Sequence, residues 1–284
     1  AEGPAVATEA RGRRGMSSGR MTVILLVVTI LLALAVPSLR EALSERATQM
    51  RSTAQGMFPS PSEMAAIVAA APEDARLHYA YALALSAETQ SPGRLGPPQE
   101  PVTAEAVREA FGDAIALAPD DPAPRLSLAI FEIEQAQIER LPGEAPATGE
   151  PSGAPTDEQL ERVRLVRAEL DEVRALDPGN ALPDYLQAWT SLAEDRPEQA
   201  RAAATRGAGK GHWTSYQAKG AEALLRLIDH ANLPDELKPM AAITLSVSQT
   251  HLLAARLRSM ARALRDHADM LRRQGDHEAA IANY

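Results

Sequence analysis

The chain of 284 residues contains no cysteine. Disulfides, CxxC redox chemistry, thiolate metal sites and haem attachment through CxxCH are therefore excluded. Aromatic residues make up only 4%, and lysine is reduced to Lys210, Lys219 and Lys238 against 26 arginines. That bias reads as the codon usage of a GC-rich bacterial genome. No HExxH, GxSxG, GxGxxG or Walker A pattern occurs. The six histidines (78, 212, 230, 251, 267 and 277) show no metal-ligand spacing, so no metal and no cofactor is expected. Acidic pairs such as Asp120-Asp121 and Asp171-Glu172 fall at predicted helix ends or on charged faces, where capping and solvation explain them. The GAGKGHW run at 207–213 lacks the preceding strand and the Ser/Thr after lysine that a phosphate loop needs, and it reads as a turn. The chain is accordingly not read as an enzyme.

The net charge of −9 is unevenly spread. Residues 41–200 carry 28 acidic and 12 basic side chains, whereas residues 201–284 carry eight acidic and 12 basic ones. An acidic middle argues against nucleic-acid binding, which needs a basic footprint.

What the sequence has in abundance is Ala, Leu, Arg and Glu, residues that lose little on entering a helix, so the fold class is all-α. From Met21 to Leu39 run 19 uncharged residues, almost wholly aliphatic between Val23 and Val36. As a helix this run reaches roughly 28 Å, close to the ~30 Å hydrocarbon core of a bilayer. Arg11, Arg13, Arg14 and Arg20 precede it, and Arg40, Arg46 and Arg51 follow it among Glu41 and Glu45. The positive-inside rule then favours a cytoplasmic tail (1–20), a transmembrane helix (21–39) and an extracytoplasmic body. Ala33-Leu34-Ala35 also fits the cleavage pattern of a signal peptide. Both devices export the body, and the anchor is the preferred reading. Residues 40–58 continue as a polar juxtamembrane helix that Phe58-Pro59-Ser60-Pro61 stops, with Ser62 capping a new helix from Glu63.

Three later segments share one helix-end signature: IVAAAPED (67–74), AIALAPDD (114–121) and VRALDPGN (173–180). Pro72, Pro119 and Pro178 are in register, each followed two residues on by Asp74, Asp121 or Asn180. Ten residues after each proline lies a small residue, Ala82, Ala129 or Ala188, and Ile67, Ala114 and Val173 lie five before. Large apolar residues, Met64, Phe111 and Leu170, recur on the preceding helix. This pattern resembles the tetratricopeptide repeat, a helix–turn–helix unit of about 34 residues. The proline spacings here are 47 and 59, lengthened by breaker-rich insertions at 91–101 and 141–155 that read as exposed loops. The resemblance implies antiparallel helix pairs stacked as a superhelix over 60–230. It also implies a concave groove lined by Tyr79 and Leu83, by Leu126, Ile130 and Ile133, and by Tyr185, Trp189 and Leu192. The alternative for those side chains is packing between helices.

A further pair is predicted from Asp195-Arg196-Pro197 to about Arg206 and from Trp213 to Asp229. Residues 234–284 hold a long amphipathic helix from Pro239 to Gln274. Its seam is Ile243, Val247, Thr250, Ala254, Leu257, Ala261, Leu264, Ala268 and Leu271. Its basic face carries Arg256, Arg258, Arg262, Arg265, Arg272 and Arg273, suited to anionic headgroups, an acidic partner or the acidic middle of the chain. From Gly275-Asp276 the sequence resembles another unit cut at Tyr284, as though it continued.

The expectation is a bacterial inner-membrane protein, single-pass, with its body in the periplasm. Its implied role is that of a scaffold or adaptor binding other proteins during assembly of a membrane or periplasmic complex. A structural accessory subunit of a large membrane complex is the second expectation. Thr22 and Thr29, seven residues apart, would then pack against other spans. An enzyme with a site composed of scattered residues is the third and least favoured.

Overall fold

A computed structural model describes residues 59–90, 101–138, 141, 154–231 and 238–276, with the side chains of 239–253 not among those described. The chain divides into two units, Ala1–Thr53 and Ala54–Tyr284, and every described residue belongs to the second. The predicted tail, membrane span and juxtamembrane helix (1–58) therefore lie outside the described residues. So do 91–100, most of the second insertion, and the partial unit from 277 onward.

The described residues form helices and no named strand. In chain order these are α1 (Pro61–Ala70), α2 (Ala75–Gln90), α3 (Ala104–Leu117), α4 (Pro122–Gln135), α5 (Asp157–Leu176), α6 (Leu182–Ala193), α7 (Pro197–Ala208), α8 (Gln217–His230) and α9 (Lys238–Arg273). Local chemistry sets most of the boundaries. The cap of α1 is Ser60, not Ser62. Pro61 takes the first helical position, where a missing N–H costs nothing, and Ser60 and Glu63 exchange capping-box hydrogen bonds. Thr103 caps α3, and Thr156 forms a capping box with Gln159 at α5.

The three in-register signatures fold into one backbone shape. Ala71, Ala118 and Asp177 close α1, α3 and α5 at φ −135°, −138° and −135°, with ψ 64°, 70° and 75°. Each precedes proline, which disfavours the α region for it. In each turn the residue three further on donates its N–H back to that closing residue: Asp74 to Ala71, Asp121 to Ala118 and Asn180 to Asp177. The signature side chains are core. Ala82, Ala129, Ala188, Phe111 and Leu170 are fully buried, and Met64 nearly so.

Consecutive helices pack, α2 with α3, α4 with α5 and α6 with α7. Two apolar clusters result. One joins α1, α2, α3 and part of α4. The other joins the rest of α4 with α5, α6 and α7. The closing helices come from far along the chain. α8 packs on α2 and completes the first cluster with Ala223, Leu224, Leu227 and Ile228, and α9 adds Met260 and Ala263 to the second.

Two boundaries differ from expectation. Trp213 to Tyr216 are not helical. Tyr216 has φ +55°, a left-handed conformation outside any helix, and α8 starts only at Gln217. Along the part of α9 whose side chains are described, the seam is shifted. Met260, Ala263 and Ala268 are buried, Leu257 and Leu264 partly so, and Ala261 is exposed. The expected steps of three and four suit a narrow two-helix seam. This helix lies over several others and buries a wider stripe centred near Met260 and His267.

Candidate interaction surface

The chain between residues 210 and 230 runs across all three repeated turns. Asp177 in the third turn accepts hydrogen bonds at Oδ2 from the Tyr216 hydroxyl (2.5 Å) and, in the tautomer that donates, from His212 Nε2 (3.3 Å). Asn180, wholly buried, is fully used. Its Oδ1 accepts from the N–H groups of Leu182 and Thr214, and its Nδ2 donates to the Thr214 carbonyl and the Tyr216 hydroxyl. In the second turn Lys219 Nζ reaches Asp121 Oδ1 at 2.9 Å, while the same carboxylate caps α4 through Ala123 N–H. In the first turn Arg226 pairs with Asp74, which caps α2 through the N–H groups of Arg76 and Leu77. The segment thus ties the third, second and first turns in that order.

Burial alone would raise the Asp177 carboxyl. The hydrogen bonds from Tyr216 and His212 and the charges of His212 and Lys210 outweigh it and hold the group below its ordinary value. Asp74 is likewise lowered. Desolvation opposes the shift, and the Leu77 and Arg76 N–H groups and Arg226 overcome it. The Tyr216 hydroxyl is pushed up by burial and by its bond to Asp177. It stays protonated and serves as a donor, so this cluster is suited to holding and not to nucleophilic chemistry. Among the described residues no group of three or more His, Asp or Glu side chains could hold a metal ion.

The eight residues expected to line an open groove are mostly enclosed. Tyr79, Leu83, Leu126, Ile130, Ile133, Trp189 and Leu192 are buried, and Tyr185 is partly so. At Tyr79, Leu83 and Trp189 the cover is the chain's own C-terminal part, whereas Leu126, Ile130, Ile133 and Leu192 pack in the cluster built mainly by α4–α7. At Gly220, α8 comes so close that a Cβ there would sit 3.2 Å from Leu83 and 3.5 Å from the Tyr79 hydroxyl. The Tyr79 hydroxyl in turn bonds Ser127 Oγ at 2.9 Å, joining α2 to α4. Tyr185 rests against Gly207. Arg256 lies over the Trp189 ring at 5.9 Å. The open groove expected from the sequence is therefore corrected. An apolar face this wide is covered by apolar faces the same chain supplies, and a partner cannot reach it while α8 and α9 are in place.

Arg256 also leaves the expected basic face. It donates to both Glu134 carboxylate oxygens (3.3 and 3.2 Å) and to the Ile138 carbonyl at 2.6 Å, turning inward to the acidic middle. Arg258, Arg262, Arg265, Arg272 and Arg273 remain exposed.

Two buried polar groups went unforeseen. Asp184 on α6 is fully enclosed, with Lys210 in contact, Arg206 at 3.2 Å and Arg174 at 3.5 Å. Lys210, in the run excluded above as a phosphate loop, also donates to the Asn180 carbonyl and so seats the loop on the third turn. Glu132 on α4 is gripped by Arg108 from α3 (2.6 and 3.2 Å), and Arg162 from α5 stands 3.6 Å away. In sequence Glu132 stands near Glu134 and Asp184 stands alone after Pro183, and neither is marked as buried. Only the helical phase placing them among alanines and leucines hints otherwise.

Beside this anchored loop Trp213 is left 53% exposed. An open depression of about 690 Å³ flanks the first turn, lined by residues 71–76 and Arg226, but its Asp74 and Arg226 are spent on each other. Comparison with protein-family models, with curated proteins and with solved structures returns no match for this chain.

Proposed function

We propose that this chain is a membrane-anchored, extracytoplasmic scaffold of stacked tetratricopeptide-like helix pairs that docks other proteins. The three turns of one backbone shape support the repeat reading, and the uncharged run 21–39 supports the anchor. One observation carries the docking: Trp213 stands half-exposed on a loop whose neighbours are fastened. Lys210 and His212 hold one side of it, and Thr214 and Tyr216 the other. A large ring kept in water on a pre-ordered support loses little entropy on contact and gains much from burial, which is the physics of an interface anchor. With the groove filled by α8 and α9, this rim replaces it as the docking position.

The test is affinity purification of the full chain from membranes solubilised in mild detergent, alongside Trp213→Ala. Partners recovered with the native chain and depleted at least about tenfold by Trp213→Ala, at unchanged helical content, support the reading. Stoichiometric recovery marks an accessory subunit, and substoichiometric recovery an adaptor. A chain that fractionates as soluble and alone overturns it.

A further inference from the structure

The arginines left on α9 form one surface. At roughly 100° per residue, Arg258, Arg262, Arg265, Arg272 and Arg273 fall within an arc of about 100°, along about 22 Å of helix. All five are exposed. Met260 and Ala263, which are buried, lie on the opposite side of the helix and buried Ala268 lies on one flank, so the arc is held outward by the core. Within 258–273 the only acids are Asp266 and Asp269, and they lie beside Arg265 (3.3 Å) and Arg272 (3.1 Å). Such surface pairs are weak and exchange readily for other anions. The segment keeps three positive charges in excess, on a chain whose residues 41–200 are strongly acidic. Met270, 42% exposed, flanks the arc with an apolar side chain. Guanidinium groups are fork donors matched to phosphate oxygens.

We infer that this arginine arc is a docking surface for the anionic phospholipid headgroups of the bilayer that holds the chain. It rests on the anchored reading above. The charge complementarity is with a plane of phosphates, because the arc is straight and long, and it offers donors along its length instead of a closed pocket. An exposed methionine beside guanidinium groups suits the headgroup boundary, where an apolar side chain enters and the charges stay at the phosphates. Docking there lays α9 along the membrane and so orients the described helical body against the bilayer.

The chain has no cysteine, so a lone Gln274→Cys gives a clean label site at the end of the arc. The full chain, carrying a donor dye there, is reconstituted into phosphatidylcholine vesicles with and without about a third phosphatidylglycerol, with an acceptor dye on the lipid headgroups. Energy transfer is expected to be at least about twofold higher in the anionic vesicles, and to fall to the neutral-vesicle value at ~0.5 M salt, where screening is short-ranged. Replacing the five arginines by glutamine should abolish the difference. The same change at Arg164, exposed on α5, should leave it intact. The salt arm needs no variant and stands even if the fivefold variant misfolds. Equal transfer in both vesicle types, with the chain floating with each, overturns this inference and leaves the anchor standing, whatever acidic protein the arc then binds. A chain that floats with neither overturns both.

Discussion

Over the first half of the described body, α8 closes the core with Ala223, Leu224, Leu227 and Ile228 against α1, α2 and α3. Over the second half, among the described residues, α9 brings buried Met260 and Ala263 with partly buried Leu257 and Leu264, and Arg256 adds a polar fastening by spanning Trp189, Glu134 and the Ile138 carbonyl. The second half also encloses Asp184 among three cations, whereas the buried Glu132 lies where the halves meet, held by Arg108 of α3 with Arg162 of α5 nearby. The contrast is between two ways of closing a helix stack. An apolar lid is strong and tolerant of small shifts, because burial has no direction. A lid made from hydrogen-bonded charges adds less net energy but accepts one position only, because each donor must find its acceptor.

The largest expected effect falls on the polar half. Asp184→Ala leaves Lys210, Arg206 and Arg174 facing one another without their anion, and should cost about 3–5 kcal/mol. Leu224→Ala in the apolar lid should cost about 2–4 kcal/mol through lost burial and a cavity. Urea unfolding of the detergent-solubilised full chain, followed by far-ultraviolet circular dichroism, measures both. Hydrogen exchange then assigns them: Asp184→Ala should speed exchange in α5–α7, and Leu224→Ala in α1–α3. If the halves are closed separately, the double variant is additive to within about 0.5 kcal/mol. A larger coupling would break the comparison.

Arg256→Met sharpens it further. Methionine keeps an apolar stem over Trp189 but leaves Glu134, nearly buried, without its partner, for an expected loss of about 1–3 kcal/mol. Exchange should rise at α4 and α9 and stay unchanged at α8. A loss shared equally by α8 would mean that the two lids act as one.

The helices and their turns were legible because they are written in local chemistry. Proline after Ala71, Ala118 and Asp177 forces the same exit from the helix; Asp74 and Asp121, two residues past their prolines, cap the next one, and Asn180 accepts from the first N–H of α6 at Leu182. Ala82, Ala129 and Ala188 read as core for the same reason: small residues at one register let helices approach. The groove was not legible. Whether Tyr79 or Trp189 meets water depends on where α8 and α9 come to rest, and those contacts join Gly220 to Leu83 and Arg256 to Glu134 across more than a hundred residues. Helical periodicity says that a face is apolar. It does not say which later segment covers it. Asp184 and Lys210 fall under the same limit, since each looks like an ordinary surface charge until the other is placed.

The turns allow a pH test. Asp74 and Asp177 are both held below the ordinary carboxylate value in the folded chain. Their stabilisation is complete above the unfolded value, near pH 4, and is lost as pH falls through the lowered folded values. Tyr216→Phe removes one of the donors that depress Asp177, so it should cost about 1 kcal/mol at neutral pH and flatten the acid limb of the stability curve. His212 also faces Asp177, so the acid limb is compared with that of His212→Gln to separate the imidazole charge from the phenol.

The smallest effect is expected at Lys219. It joins α8 to the second turn as Arg226 joins it to the first, yet Lys219 and Asp121 are half and one-third exposed and Asp121 retains its capping bond to Ala123. Screened by water, such a pair contributes little, so Lys219→Ala should cost less than about 0.5 kcal/mol and respond weakly to salt. The value of the experiment is in the ratio. If α8 is an apolar lid, its leucines must outweigh its charges several-fold at the same helix. A Lys219→Ala loss approaching that of Leu224→Ala would show that the strap is fastened by its ion pairs, and the two halves of the body would then be closed by the same means.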